Sequence, residues 1–481
     1  MRTLIQGGWV VGYDGRGHEI IPNGCVVIED DRVLHVGRRF DGTVDRRIDA
    51  VGKLVSPGFV NCHLHCATNA TQAVFIDGGL KTDYFGSNFI GYASPRRGVP
   101  PPRAQDTAEV AGAYGLWSAL RAGATTILDV GTMPGGPDAF AKVAGGLGVR
   151  AYVGPAFRSA QYAFDGDRVA WEWDEAAGVA GLQRAVAFAK EHDGAHGGRI
   201  RAMLYPGQMD TCTLDLLKQA RRSADELGIP MQLHAAMNLR EFHRILEQHG
   251  KTPIQLLHSI GFLQERTGLG HCVFHNAHSW CNYPYGDDLK RLADSGVTVV
   301  HAPYKYAKMG ITLESFERYR AAGINLALGT DTYPQDIVHE MRWAALTCRI
   351  ADGSFRVGKP RDVFDAATLG GARHLGRDDL GRLAPGAKAD VIVVNLLQMH
   401  YGAVHDPVKL LVECGNGRDV ETVIVNGQVL IEAGRATRVD EAALLAAVQA
   451  EGERLWSALP QWHWTGKELD EIAPPSYPIR G

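Results

Sequence analysis

Apolar residues along this chain keep two rhythms. Over the first 55 residues they form short β-branched runs, Thr3–Val11, Cys25–Glu29 and Val33–Gly37, which predict strands. Asp14-Gly15, Asn23-Gly24 and Asp30-Asp31 read as the turns between them. The same texture returns late in the chain. Asp390–Asn395 (DVIVVN) and Val420–Val425 (VETVIV) predict strands, and Asn426-Gly427 predicts a tight hairpin into Gln428–Glu432. Asp440–Ala458 reads as a helix, followed by a Trp- and Pro-rich tail laid over a neighbour or over the rest of the chain.

The long middle alternates buried strands with amphipathic helices. The candidate strands are Phe59–His63, Thr125–Asp129, Ala151–Gly154, Arg201–Tyr205, Met231–His234, Gly270–Phe274, Thr298–His301 and Asn325–Gly329. Helical patterns such as Asp215–Leu227 and Leu289–Ser295 lie between them. Eight such strands predict an α/β fold, a (β/α)8 TIM barrel, with a small β-sandwich domain formed from both chain ends. The expected division is 1–55 and 385–438 for the small β domain, 56–384 for the barrel, and 439–481 for the C-terminal helix and tail. A length of 481 residues exceeds what one hydrophobic core usually supports, which fits this two-part plan.

Composition narrows the classes of partner. The net charge of −4 is too small to point to nucleic acid or an anionic membrane. No apolar run approaches the ~20 residues needed to span a bilayer. The opening MRTLIQGGWVV lacks a sustained apolar stretch of the kind that signals export, so a cytoplasmic enzyme is expected. The eight cysteines, Cys25, Cys62, Cys66, Cys212, Cys272, Cys281, Cys348 and Cys414, include no CxxC pair and read as free, mostly buried thiols. The expected partner is a small-molecule substrate, acted on by a homodimer or homotetramer.

The chemistry concentrates at predicted strand ends. His63 and His65 close the first strand, and alternate residues of a strand share a face, so both imidazoles can bind one ion. His234 ends the fifth strand, and Asp331 lies just past the eighth. Neutral imidazole with carboxylate suits Zn²⁺ or Fe²⁺. His271, on the sixth strand, is open to two roles: orienting or deprotonating a metal-held water, or ligation. In a chain with 19 histidines one HxH is a weak signal, but joint placement on strands 1, 5, 6 and 8 is hard to obtain by accident. In TIM barrels chemistry sits at that strand-end face.

These segments resemble the amidohydrolase superfamily, within it the cytosine deaminase and triazine chlorohydrolase branch. The resemblance is carried by Pro57-Gly58-Phe59-Val60-Asn61-Cys62-His63-Leu64-His65, Gly123-Ala124-Thr125-Thr126, Pro206 through Cys212, and Leu233-His234-Ala235. Gly270-His271-Cys272-Val273, Gly329-Thr330-Asp331 and Gly381–Asp390 extend it across nearly the whole chain. It implies one divalent ion, Zn²⁺ with Fe²⁺ the alternative, held by His63, His65, His234 and Asp331. It further implies His271 and Asp331 as catalytic residues, and attack by metal-activated hydroxide on a C–N bond of a small heterocyclic or amide-like molecule. Binuclear relatives carry a lysine at the end of strand 4. Here the run is Met203-Leu204-Tyr205-Pro206, so one metal is expected.

Two departures bear on substrate. Deaminases of this branch carry a Glu three residues after the strand-5 His, where this chain has Met237, and Glu241 substitutes only if the loop bends it inward. The His that many relatives place after the strand-4 Pro is Gly207. Deamination leads as the branch's commonest chemistry, while hydrolytic dechlorination, cleavage of an amide, carbamate or urea, and an inactive binding relative are the rivals. Met237 argues against ordinary turnover of cytosine, guanine or adenosine. The candidate substrate contacts are Met237, Gln208, His301, Tyr304 and Lys305, with Tyr84 and Phe89 from the aromatic loop Lys81–Arg103. Asn61 reads as a residue that orients the strand-1 loop.

Overall fold

A computed structural model describes residues 1–66, 99, 108–131, 136–165, 168–311, 314 and 316–480. Five strands open the chain: β1 (Arg2–Tyr13), β2 (His18–Glu29), β3 (Arg32–Gly37), β4 (Arg46–Asp49) and β5 (Lys53–Pro57). β1 runs antiparallel to β2, and it also pairs β4 through residues 3–6 and β5 through residues 9–10. The change of partner falls at Gly7 and Gly8. Gly7 has φ +88, and a Cβ on Gly8 would lie 2.7 Å from the Ala50 carbonyl oxygen, so only glycine permits the bulge. Asn23-Gly24 is not the expected turn: β2 runs through it, and Asn23 takes a left-handed φ of 51° opposite the same bulge.

Two parallel sheets follow. The first contains β6 (Phe59–Leu64), β7 (Ala124–Val130), β8 (Arg150–Gly154) and, beyond the antiparallel hairpin β9 (Ala160–Asp165) and β10 (Arg168–Trp173), β11 (Ile200–Ala202). The second contains β12 (Met231–Ala235), β13 (Thr267–His271), β14 (Thr298–His301) and β15 (Asn325–Leu328) in chain order. Helices separate the strands, including Leu214–Leu227 and Asp288–Ser295, within a residue of the segments expected. β6, β7, β8, β12 and β13 are buried at every position, as strands covered on both faces must be. β13 lies three residues before its expected place. His271 and Cys272 take φ of 77° and 49°, which ends the extended run before Phe274.

Backbone bonds link the two sheets at both outer edges. Gln232 N donates to the Leu204 carbonyl at 3.0 Å and His234 N to the Gly207 carbonyl at 3.0 Å. At the other edge Asp331 N donates to the His63 carbonyl at 2.8 Å and His65 N to the Asp331 carbonyl at 2.7 Å. One apolar cluster is shared by Val60, Cys62, Leu128 and Met203 of the first group with Val300 and Ala327 of the second, joined by Ala372 and Leu375.

The last strands, β16 (Val391–Asn395), β17 (Val420–Val425), β18 (Gln428–Glu432) and β19 (Arg435–Ala436), return to the opening ones. β16 pairs β5 antiparallel, giving one nine-stranded sheet from both chain ends, in the order β19-β18-β17-β16-β5-β1-β2-β3 with β4 beside β1. The Asn426-Gly427 turn has φ of 51° and 77°, the paired left-handed residues of a two-residue hairpin. Arg150 on β8 is fully buried and donates to both oxygens of Asp390, at 2.8 and 3.0 Å, and to Asn426 Oδ1 at 3.1 Å, fastening this sheet to the first parallel one. All eight cysteines are free thiols. Among the described residues no helix is long and apolar enough to cross a membrane.

Candidate metal centre

His63 and His65 leave the end of β6, His234 lies on β12, His271 ends β13, and Asp331 follows β15. All five stand at the carboxyl ends of their strands, and their metal-binding atoms form two groups that share His63. His63, His65 and His234 make one, and His63, His271 and Asp331 the other, each with its donor atoms within 4.8 Å of one another. His63 Nε2 and His234 Nε2 are 3.0 Å apart. His271 Nε2 is 3.1 Å from Asp331 Oδ2, and the Asp331 oxygens are 3.8 Å from His63 Nε2 and 3.9 Å from His65 Nε2. A Cβ on Gly270 would lie 3.1 Å from His63 Cε1 and 3.3 Å from His234 Cδ2, so the residue before His271 leaves room for the two rings.

The far nitrogens of two of these histidines are held. His63 Nδ1 is 2.5 Å from Gln232 Oε1, and His234 Nδ1 is 2.5 Å from Tyr205 Oη. The Gln232 amide donates to the Cys62 carbonyl at 2.8 Å, which orients its oxygen toward His63. His63 Nδ1 therefore donates, and its Nε2 lone pair is free to face His234. Asn61 binds Thr330 through both side-chain atoms, Nδ2 to Oγ1 at 2.8 Å and Oδ1 from N–H at 3.1 Å, and so joins β6 to the turn carrying Asp331.

Burial sets the charge of the group. It lowers the pKa of His63 to about 4 and of His65 to about 3, and holds His234 and His271 well below the usual imidazole range. Burial opposes ionisation of Asp331, but Lys305 and His271 outweigh it and hold the carboxyl well below its ordinary value. The set is thus neutral imidazoles around a carboxylate. Asp331 Oδ1 is buried with no hydrogen-bond partner among the described residues. Such an oxygen calls for a cation, so the donors fit a divalent ion. Ala236, His271, Cys272 and Asp331 all have positive φ, between 49° and 77°, so backbone strain collects at the ends of the ligand strands.

The candidate substrate contacts divide. Lys305 joins the centre: it is buried, and its ammonium donates to Asp331 Oδ2. Met237 is buried in the turn after β12, its carbonyl accepting from Tyr306 Oη at 3.0 Å. Tyr304 is half-buried against the rings of His339 and Trp343, 4.7 and 5.6 Å away. Gln208 pairs with His234 along the backbone, and its side-chain Nε2 is buried with no hydrogen-bond partner among the described residues. His301 packs against Phe316 and Tyr319 of the helix Phe316–Ala321, ring centroids 5.9 and 5.5 Å away, and stands outside both groups of metal-binding atoms. Glu241 does turn inward, yet its oxygens accept from the backbone of Ala236 at 2.6 Å and Met237 at 3.4 Å, behind the loop. Burial raises its pKa well above the ordinary value, with the nearby Asp210 adding to the effect. Tyr84, Phe89 and most of the loop Lys81–Arg103 lie outside the described residues. Gln232 and Tyr205 were not singled out as site residues; the first had a signal, since it shares a strand face with His234 two residues on.

Known proteins resemble this chain along most of its length. Residues 54–430 match the amidohydrolase family. A 5-methylthioadenosine/S-adenosylhomocysteine deaminase of Thermococcus onnurineus is 31% identical over 438 residues, 90% of this chain and 94% of that protein. A 5'-deoxyadenosine deaminase of Methanosarcina mazei is 28% identical over 459 residues, 94% of this chain and 98% of that one. Among solved structures, atrazine chlorohydrolase of Arthrobacter aurescens complexed with zinc superposes with a TM-score of 0.77 at 24% identity, covering 93% of this chain and 99% of that one. An adenosine deaminase of Xanthomonas campestris with bound zinc gives 0.76 at 22%, covering 95% and 98%.

Proposed function

The chain belongs to the amidohydrolase family, and from that premise we propose that His63, His65, His234 and Asp331 hold one divalent ion, Zn²⁺ with Fe²⁺ the alternative, in the hydrolysis of an amino group from a small heterocycle. The family activity is metal-dependent hydrolysis of C–N bonds other than peptide bonds. The observation that carries the reading is the convergence of His63 and His234 Nε2, 3.0 Å apart, with both Nδ1 atoms held from behind. A bound ion would supply a nucleophile at neutral pH by lowering the pKa of water toward ~7. Asp331 takes the proton of the attacking water and passes it to the leaving group. His271, 3.1 Å from Asp331 Oδ2, orients that water.

The curated relatives named above act on adenosine-type nucleosides. We take an aminated purine nucleoside or a related aminoheterocycle as the substrate class. Met237 offers no proton to a ring nitrogen, and Glu241 is engaged behind the loop. Lys305 is the donor that stands inside the centre and meets the electron-rich side of the substrate. That substitution favours a second reading, loss of a leaving group that needs no ring protonation, as in dechlorination or carbamate cleavage.

The two parallel sheets are read as a closed (β/α)8 barrel over 56–384, supported by the backbone bonds at both edges and the shared core. Residues 1–55 and 385–438 form the small β domain, read as a sandwich, and 439–481 the terminal helix and tail. Eight free thiols suit a reducing cytoplasm. Ile350 and Phe355, 71% and 85% exposed near one helix end, suit a homodimer or homotetramer. The test is ammonia release from 5'-modified adenosines, adenosine, guanine, cytosine and aminotriazines, with anilides and carbamates assayed for amine and a chlorotriazine for chloride. Turnover of an aminoheterocycle that disappears in His63→Ala is expected. Turnover confined to the chlorinated or carbamate compounds would overturn deamination in favour of the second reading.

A further inference from the structure

Tyr205 stands where the first parallel sheet gives way to the loop before β12, and three independent features build the site around its ring. It is 3% exposed, packed in the shared interior cluster with Val130, Tyr152 and Met203. Two glycines on neighbouring strand ends clear its space. A Cβ on Gly131 would lie 2.6 Å from Tyr205 Cε1, and a Cβ on Gly154 would lie 3.1 Å from Tyr205 Cβ. Its carbonyl accepts from Phe157 N at 3.2 Å, which fixes the backbone from which the ring projects. The hydroxyl at the end of this packed ring is 2.5 Å from His234 Nδ1.

A histidine that binds an ion through Nε2 carries its proton on Nδ1, and that proton needs an acceptor in a buried site. Among the described residues the Tyr205 hydroxyl oxygen is the partner at His234 Nδ1. Gln232 Oε1 plays the same part for His63. The two differ in how they are held. Gln232 is oriented by one hydrogen bond, to the Cys62 carbonyl, whereas the Tyr205 ring is packed in the shared interior cluster with Gly131 leaving room beside its Cε1.

We propose that Tyr205 is a positioning residue of the metal centre, fixing the tautomer and ring orientation of His234 so that its Nε2 faces the ion. This rests on the metal-binding reading of His63, His65, His234 and Asp331. Loss of such an outer partner typically lowers metal affinity ~10–100-fold.

The test compares Tyr205→Phe with the wild type. Zn²⁺ affinity is read by chelator competition, and the visible spectrum is read after Co²⁺ substitution. Phenylalanine keeps the ring and its packing, so the thermal midpoint of the zinc-free protein should stay near the wild-type value. Zn²⁺ affinity should fall ~10–100-fold and the Co²⁺ ligand-field bands should shift or weaken. Affinity within twofold of wild type, with an unchanged Co²⁺ spectrum, would overturn the inference while leaving the metal site standing. A wild-type protein that binds neither ion would overturn both. If Tyr205→Phe unfolds, Gly131→Ala is the second variant: at φ +86 its methyl would meet Tyr205 Cε1 at 2.6 Å and Ala156 Cβ at 2.9 Å, so its zinc-free melting is measured beside it, and in the folded protein Zn²⁺ binding should weaken in the same direction. Unaltered affinity in a folded Gly131→Ala would count against the inference equally.

Discussion

At the scale of single residues, the side chains proposed to hold the ion were legible, and Tyr205, bonded to one of them, was not. His63 and His65 announce themselves because alternate strand residues share a face, and His234 and Asp331 because each falls at a strand end. Tyr205 reaches the centre by tertiary packing that no local pattern encodes, whereas Lys305, expected as a substrate contact, lies in it bonded to Asp331. His301 shows the converse. Its strand-end position suggested the site, but its ring packs against the helix Phe316–Ala321. Met237 remains the residue that most separates this chain from deaminases with a Glu there. A positioned acid contributes roughly 10²–10⁴-fold to proton transfer. Met237→Glu should therefore raise ammonia release from the best aminoheterocycle by about tenfold or more. A rate unchanged in a folded variant would show that proton supply to the ring does not limit turnover.

Elements were read well where periodicity was strong and displaced where the backbone broke it. β14 and the helix Leu214–Leu227 fall within a residue of expectation. β13 ends early because His271 and Cys272 adopt left-handed φ, a conformation that serves the site and leaves no trace in apolar spacing. The contact between β14 and the helix Phe316–Ala321 also makes a measurable claim. Burial between Phe316 and Tyr319 lowers the His301 pKa to about 3, against ~6.5 in an unfolded chain. Below pH ~6.5 the unfolded chain takes up a proton that the folded one refuses. Stability is therefore lost as pH falls from ~6.5 toward ~3, at about 1.4 kcal/mol per pH unit for this one group. His301→Leu removes that dependence, and its thermal midpoint should drop less than the wild type's between pH 7 and pH 4. Parallel melting curves against pH would contradict this.

For the whole molecule, the sequence texture carried the plan: β-rich ends around an alternating middle. It could not show that the two ends make one nine-stranded sheet, because β16 meets β5 across more than 300 residues and pairing partners leave no local signature. Nor did it mark Arg150, whose buried pairing with Asp390 and Asn426 fixes that sheet against the first parallel one. The parts converge on five side chains, four of them assigned as ligands to one ion. The most direct measurement is elemental analysis of the protein after metal removal and reconstitution with Zn²⁺, with His63→Ala and Asp331→Ala alongside. One tightly held zinc per chain in the wild type, lost in both variants, is the predicted result. Two zinc ions per chain, or one that survives loss of His63 or Asp331, would contradict the account.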